Sequence, residues 1–140
     1  MLTGSILLVE DSEDDVELTR RAFRRNNLGN TLVVARDGAE ALSHLFDEDA
    51  DLPELVLLDL QLPKIDGHEV LRRIRADART RLLPVVVLTS SNEQRDLVES
   101  YTGGANSFIR KPVDFEQFVE AVRQLELYWL VLNEPARRER

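Results

Sequence analysis

Apolar residues recur along the chain in two alternating periods. Ile6-Leu-Leu-Val9 is a short unbroken apolar run, the pattern of a parallel strand covered on both faces. From about Asp14 to Asn26 the period changes, and Leu18, Ala22 and Phe23 fall on one side of a helix. Ser12 with Asp15 three residues on predicts a capping box at its start, and Gly29 predicts its close. Thr31 to Ala35 is a second, β-branched run. Asp37-Gly38 then leads into a helix carrying Ala41, Leu42, Leu45 and Phe46 at helical spacing. Leu55-Val-Leu-Leu58 predicts a third strand, and Val70, Leu71 and Ile74 mark a third helix. Val85-Val-Val-Leu88 predicts the fourth strand, and Leu97, Val98 and Tyr101 share a face of a fourth helix. Ser107 to Ile109 is a short fifth strand. Asp114 is a good N-cap for a fifth helix, with Phe115, Phe118, Val119, Val122 and Leu125 on its buried stripe.

Strands alternating with helices in this way predict a three-layer, doubly wound α/β domain around a parallel five-stranded sheet. At 140 residues the chain is one ordinary domain, without internal repeat or linker. Acids outnumber bases 26 to 18, a net charge of −8, which argues against nonspecific nucleic-acid binding. There is no cysteine, so disulfides, thiolate metal sites and thiol nucleophiles are excluded. No apolar run is long enough for a membrane span and no signal peptide opens the chain, so a cytoplasmic protein is expected.

Doubly wound sheets carry their sites beyond the carboxyl ends of the strands. There the sequence places Glu10 and Asp11 after the first strand, Asp59 after the third, Thr89-Ser90 after the fourth and Lys111-Pro112 after the fifth. Each has a bland reading alone: an acidic helix start, a loop acid, a turn hydroxyl, a solvated cation. Coinciding at four strand ends, they define a constellation. Three converging acids demand a cation, and hard carboxylate oxygens suit Mg²⁺ better than zinc or copper. A divalent ion with Lys111 would neutralise a phosphoryl group, and Asp59 would be placed to attack phosphorus as a carboxylate nucleophile.

Leu7-Leu-Val-Glu-Asp11, Leu57-Leu-Asp-Leu-Gln-Leu-Pro63 with Asp66-Gly67, Val87-Leu-Thr-Ser90 and Phe108-Ile-Arg-Lys-Pro112 resemble the receiver domain of two-component response regulators. The likeness runs over about residues 5 to 126. It implies a CheY-like, flavodoxin-like strand order of 2-1-3-4-5. Asp59 would accept phosphate from a kinase phosphohistidine. Asp11 would hold Mg²⁺ directly and Glu10 through water, with Asp59 and the Gln61 backbone carbonyl as further ligands. Lys111 would pair with the phosphoryl oxygens through a chain whose bond to Pro112 is typically cis. Thr89 would turn its hydroxyl to the phosphoryl group, and Phe108 would follow by rotating inward, altering the face made by the last two strands and helices. Many relatives carry Tyr where Phe108 stands, so a switch step needing that hydroxyl is missing here. Within the family, Asn106-Ser-Phe through Tyr128-Trp129 is most similar to stand-alone regulators paired with bacteriophytochromes and related sensor kinases. The implied partner is therefore a sensor histidine kinase or phosphotransfer protein, and the chain is not itself a classical enzyme.

Three other functions meet obstacles in the residues. A haloacid-dehalogenase-type Mg²⁺ phosphatase also uses an Asp nucleophile, but its second acid would fall at Gln61. A flavodoxin-like carrier would need a hydroxyl-rich phosphate loop where Glu10 to Asp15 stand. A constitutive pseudo-receiver would not be expected to keep the acids, Thr89 and Lys111 together. His44 and His68 read as solvated, Asp37-Gly38 and Asp66-Gly67 as turn chemistry, and Gly103-Gly104 as a source of positive φ. The pairs Arg20-Arg21, Arg24-Arg25 and Arg72-Arg73 read as solvated helix faces.

The expected organisation is a receiver over residues 1–126 and an extension of the last helix with a tail over 127–140, with no output domain. Trp129 continues the buried stripe, whereas Leu127, Tyr128, Leu130 and Val131 leave almost no polar face. An apolar surface all round a helix end cannot face one core, which predicts a homodimer through this segment and the face beside Phe108.

Overall fold

Every short apolar run forms a strand: β1 (Ile6–Val9), β2 (Leu32–Ala35), β3 (Leu55–Leu58), β4 (Val85–Thr89) and β5 (Ser107–Arg110). Between them lie α1 (Glu13–Arg25), α2 (Gly38–Leu45), α3 (Gly67–Ala76), α4 (Gln94–Thr102) and, last, α5 (Phe115–Arg138). The computed structural model describes residues 4–90, 93–111 and 114–138, with side chains as far as 127 along α5. The strands form one parallel sheet in the order β2-β1-β3-β4-β5, as the sequence predicts.

The inner strands β1, β3 and β4 are buried at every position, because helices cover both faces of the sheet. Leu7, Val9, Val56, Leu58, Val85 and Val87 point to the side of α2 and α3. Ile6, Leu8, Leu55, Leu57, Val86 and Leu88 point to the other side, against Val16, Ala22 and Phe23 of α1 and Phe118, Val122 and Leu125 of α5. Each such Leu or Val contributes roughly 1.5–3 kcal/mol by leaving water. The packing fixes which strand ends meet at the carboxyl edge.

Several local expectations change. Ser12 does accept a hydrogen bond from the Asp15 N–H at 3.3 Å, but the reciprocal half of the capping box goes elsewhere: the Ser12 N–H donates to Glu10 Oε2 at 3.1 Å. Asn27 (φ 58°), not Gly29, turns the chain out of α1, and the Leu28 N–H returns to the Phe23 carbonyl. Of the Gly103-Gly104 pair only Gly104 takes positive φ, at 100°. Asp37 and Asp66 are helix N-caps, accepting from the Glu40 and Glu69 N–H groups. On α4 the expected apolar face is only partly inward, with Leu97 half-buried but Val98 53% and Tyr101 51% exposed, and the fully buried residue is Ser100. The Lys111–Pro112 bond and the side chains of Tyr128, Trp129, Leu130 and Val131 lie outside the described residues. No helix among the described residues is long and apolar enough to cross a membrane.

Candidate functional site

The parallel ladder runs one residue past the strands and pins the residues that follow them. The Glu10 N–H donates to the Ala35 carbonyl at 2.9 Å, the Asp59 N–H to Val9 at 3.1 Å, and the Lys111 N–H to Thr89 at 2.8 Å. Side chains from the ends of β1, β3 and β5 therefore converge. Carboxylate oxygens of Glu10, Asp11 and Asp59 lie within 4.8 Å of one another. Lys111 Nζ donates to Glu10 Oε1 at 2.6 Å, Asp15 Oδ2 at 2.8 Å and Asp59 Oδ2 at 3.0 Å. Glu10 and Asp59 are 2% and 5% exposed, whereas Asp11 opens to solvent.

Burial and the neighbouring Asp59 charge push the Glu10 carboxyl up to about 7, against the hydrogen bond from Lys111. Burial disfavours the Lys111 ammonium, but the hydrogen bonds to Asp15 and Glu10 and the Asp59 charge outweigh it and hold the amine above its usual range. Four carboxylates thus face one ammonium. The donor set is all oxygen and under-neutralised, which fits a hard divalent cation. Glu10 already has both oxygens engaged, by Lys111 and the Ser12 N–H.

The loop after β3 is built around Asp59. Its Oδ1 accepts from the Gln61 N–H at 3.1 Å, and the Gln61 side-chain oxygen accepts from Ser90 Oγ at 3.3 Å. The Gly67 N–H donates to the Leu60 carbonyl at 3.1 Å, so α3 begins against this loop. A Cβ on Gly67 would stand 2.5 Å from the Asp59 carbonyl oxygen and 2.6 Å from Leu60 Cα, so the close approach requires glycine. Thr89 is fully buried at the end of β4. Phe108 on β5 is half-buried against the cluster beneath α2 and α3.

Glu10, Asp11, Asp59 and Lys111, expected at the strand ends, are gathered in one pocket, with Gln61 bonded to Asp59. Asp15 joins them unexpectedly, its carboxylate serving Lys111 instead of the capping box. No signal in the sequence marks that role, because Lys111 lies far along the chain, just beyond β5. His68, expected to be solvated, instead lies half-buried 3.1 Å from Asp96 Oδ1 and 3.6 Å from Glu99 Oε2. His44 is exposed, as expected. Of the predicted partner surface, Leu127 is 48% exposed.

Fold and site together define a doubly wound domain with an acidic pocket and an invading lysine at its carboxyl edge. Residues 6–123 match the family model of the response regulator receiver domain, and the chain belongs to that family. It is similar to response regulator Rcp1 of Synechocystis, at 36% identity over 89% of this chain and 88% of that protein. The solved Mn²⁺-bound form of Rcp1 superimposes with a TM-score of 0.82 over 90% of this chain and 94% of that one. The phosphorylated cyanobacterial phytochrome response regulator RcpA is 37% identical, with a TM-score of 0.85 over 93% and 95% of the two chains. The bacteriophytochrome response regulator AtBRR is 48% identical, with a TM-score of 0.73 over 96% and 99%.

Proposed function

We propose that this receiver is a phosphorylation-controlled switch that takes a phosphoryl group from a sensor histidine kinase or phosphotransfer protein onto Asp59. An Asp59 carboxylate oxygen forms the new P–O bond as the P–N bond of the donor phosphohistidine breaks, and the imidazole leaves with the electron pair. Bound Mg²⁺ would supply charge neutralisation on the phosphoryl oxygens. Asp11, Asp59 and the Gln61 backbone carbonyl would hold it, and Glu10 would act through water because its own oxygens are engaged. Lys111 would exchange its contact with Asp59 for the phosphoryl oxygens. The meeting of Lys111, Asp59 and the acidic pair in one pocket is the observation that carries this reading.

The phosphoryl group shifts conformation only through contacts that differ between the two states. Thr89, at the end of β4, and Phe108, on β5, are the residues assigned to that readout, and the α4-β5-α5 face is the surface they alter. That face would bind a partner or pass phosphate onward. The likeness to RcpA and AtBRR supports a kinase of the phytochrome class as the donor. We assign the receiver to residues 1–126 and a homodimer surface to the helix extension of 127–140, including Leu127, Tyr128, Leu130 and Val131. The protein would work in the cytoplasm, without nucleic acid or membrane.

Acetyl phosphate labelling tests the chemistry. Wild type should label only with Mg²⁺ present, and Asp59→Asn should not label at all. Thr89→Ala should accept phosphate but fail to change its partner-binding face. Labelling of Asp59→Asn at the wild-type level would refute the reading.

A further inference from the structure

Lys111 is held from three elements at once. Its Nζ donates to Glu10 Oε1 beyond β1 at 2.6 Å, to Asp15 Oδ2 on α1 at 2.8 Å and to Asp59 Oδ2 beyond β3 at 3.0 Å. An ammonium has three N–H donors, so all of them are in use. Two of these partners, Glu10 and Asp59, belong with Asp11 to the carboxylates gathered within 4.8 Å of one another. Asp15 stands outside that group.

Asp15 is presented from a fixed turn. Its N–H donates to Ser12 Oγ at 3.3 Å and its carbonyl accepts from Thr19 Oγ1 at 2.8 Å, with Val16 and Thr19 buried. The Lys111 side chain is 11% exposed and that of Asp15 34%, so their charge-assisted contact is partly shielded from water. A cation held by Asp11 and Asp59, with Glu10 reaching it through water, competes with Lys111 for two of its three partners. Asp15 is the partner that this competition leaves. Phosphorylation of Asp59 would move the third contact onto phosphoryl oxygens, again without engaging Asp15.

We propose that Asp15 is a positioning residue that keeps Lys111 in the pocket while Mg²⁺, and then the phosphoryl group, take over Asp59. This rests on the reading of Asp59 as phosphoacceptor and Lys111 as its phosphoryl contact. It gives the fourth carboxylate of the pocket a task of its own, the lysine rather than the metal. Without Asp15 the amine would depend on two acids that the cation also needs. Mg²⁺ would then loosen Lys111.

Reductive methylation of the full-length chain tests this without any phosphoryl donor. The chain has two lysines, so exposed Lys64 serves as an internal reference for Lys111. Peptide mass spectrometry gives the initial rate at each, and a loosened amine reacts faster than one held in ion pairs. In wild type the Lys111-to-Lys64 ratio should stay low with or without saturating Mg²⁺. Asp15→Asn keeps both backbone contacts of the turn, and in it Mg²⁺ should raise the ratio ~10-fold, as befits one lost charge-assisted hydrogen bond. Asp15→Glu should restore part of the protection. Asp14→Asn removes the same charge from an exposed neighbour and should behave as wild type. A ratio in Asp15→Asn equal to wild type, or raised to the same extent with and without Mg²⁺, would overturn the proposal. Acetyl phosphate separates this outcome from the Asp59 reading. Asp15→Asn should still label, several-fold more slowly at saturating Mg²⁺, and labelling at the wild-type rate would overturn its positioning role. A wild type that fails to label would sink the Asp59 reading, while the methylation ratio judges Asp15 apart from it.

Discussion

At the scale of single residues, the pocket is held by an imbalance. Lys111 reaches three carboxylates, but Asp11 stands beside them without that contact among the described hydrogen bonds and adds repulsion at close range. Asp11→Asn should therefore stabilise the metal-free protein, by about 1 kcal/mol for a solvent-screened charge. The same change should abolish the rise in melting temperature that Mg²⁺ gives wild type by binding the folded state. Calorimetry with and without Mg²⁺ checks both, and an undiminished Mg²⁺ shift in the variant would count against the site. Arg75 offers a contrast, a half-buried guanidinium satisfied by neutral acceptors. It donates to the carbonyls of Gly104, Arg81 and Leu83 and to Asn106 Oδ1, at 2.9, 3.0, 2.6 and 3.0 Å. Arg75→Ala should cost roughly 1–3 kcal/mol in urea unfolding, because it strands the partly buried carbonyls of Gly104 and Leu83, yet leave labelling of the folded protein unchanged. The pocket acids were legible because they follow apolar runs directly. Asp15, Arg75 and His68 were not, because their partners lie across the sheet or on another helix, and neither periodicity nor spacing encodes such contacts.

At the scale of elements, β1 and β3 were legible to the residue, since strands covered on both faces must be apolar throughout. Helix α4 was misread for the same physical reason turned round. Leu97, Val98 and Tyr101 have helical spacing, but spacing says that residues share a face, not which face meets the sheet. Here small Ser100 is the inward residue, and Val98 and Tyr101 look out. The end of α1 was misplaced because Asn27 also tolerates the left-handed region, so Gly29 was not needed there. The Asp66-Gly67 step shows an element boundary serving the site: Asp66 caps α3, and Gly67 lets it begin against the Asp59 backbone. Gly67→Ala should force the loop after β3 away from its place. We expect it to cost at least ~2 kcal/mol and to depress Mg²⁺-dependent labelling more than stability alone explains. Chemical denaturation and labelling of the folded fraction separate the two effects.

At the scale of the whole molecule, α5 runs from Phe115 to Arg138, far longer than the 8 to 13 residues of α1 through α4. Its first turns are buried by the domain, through Phe118, Val122 and Leu125, and the apolar sequence then continues past Leu127. If that extension forms the homodimer surface, sedimentation of the full chain at tens of micromolar should show a dimer, and a chain ending at Glu126 a monomer. A monomeric full-length chain, with and without beryllofluoride, would contradict it. The central claim is the chemistry of Asp59, and the most direct measurement identifies the atom that carries the phosphoryl group. Borohydride reduces an acyl phosphate to the alcohol, so reduction of the phosphorylated protein followed by peptide mass spectrometry should find homoserine at position 59. Homoserine at position 11 or 15 instead, or a phosphoryl group retained on His44 or His68, would contradict the account.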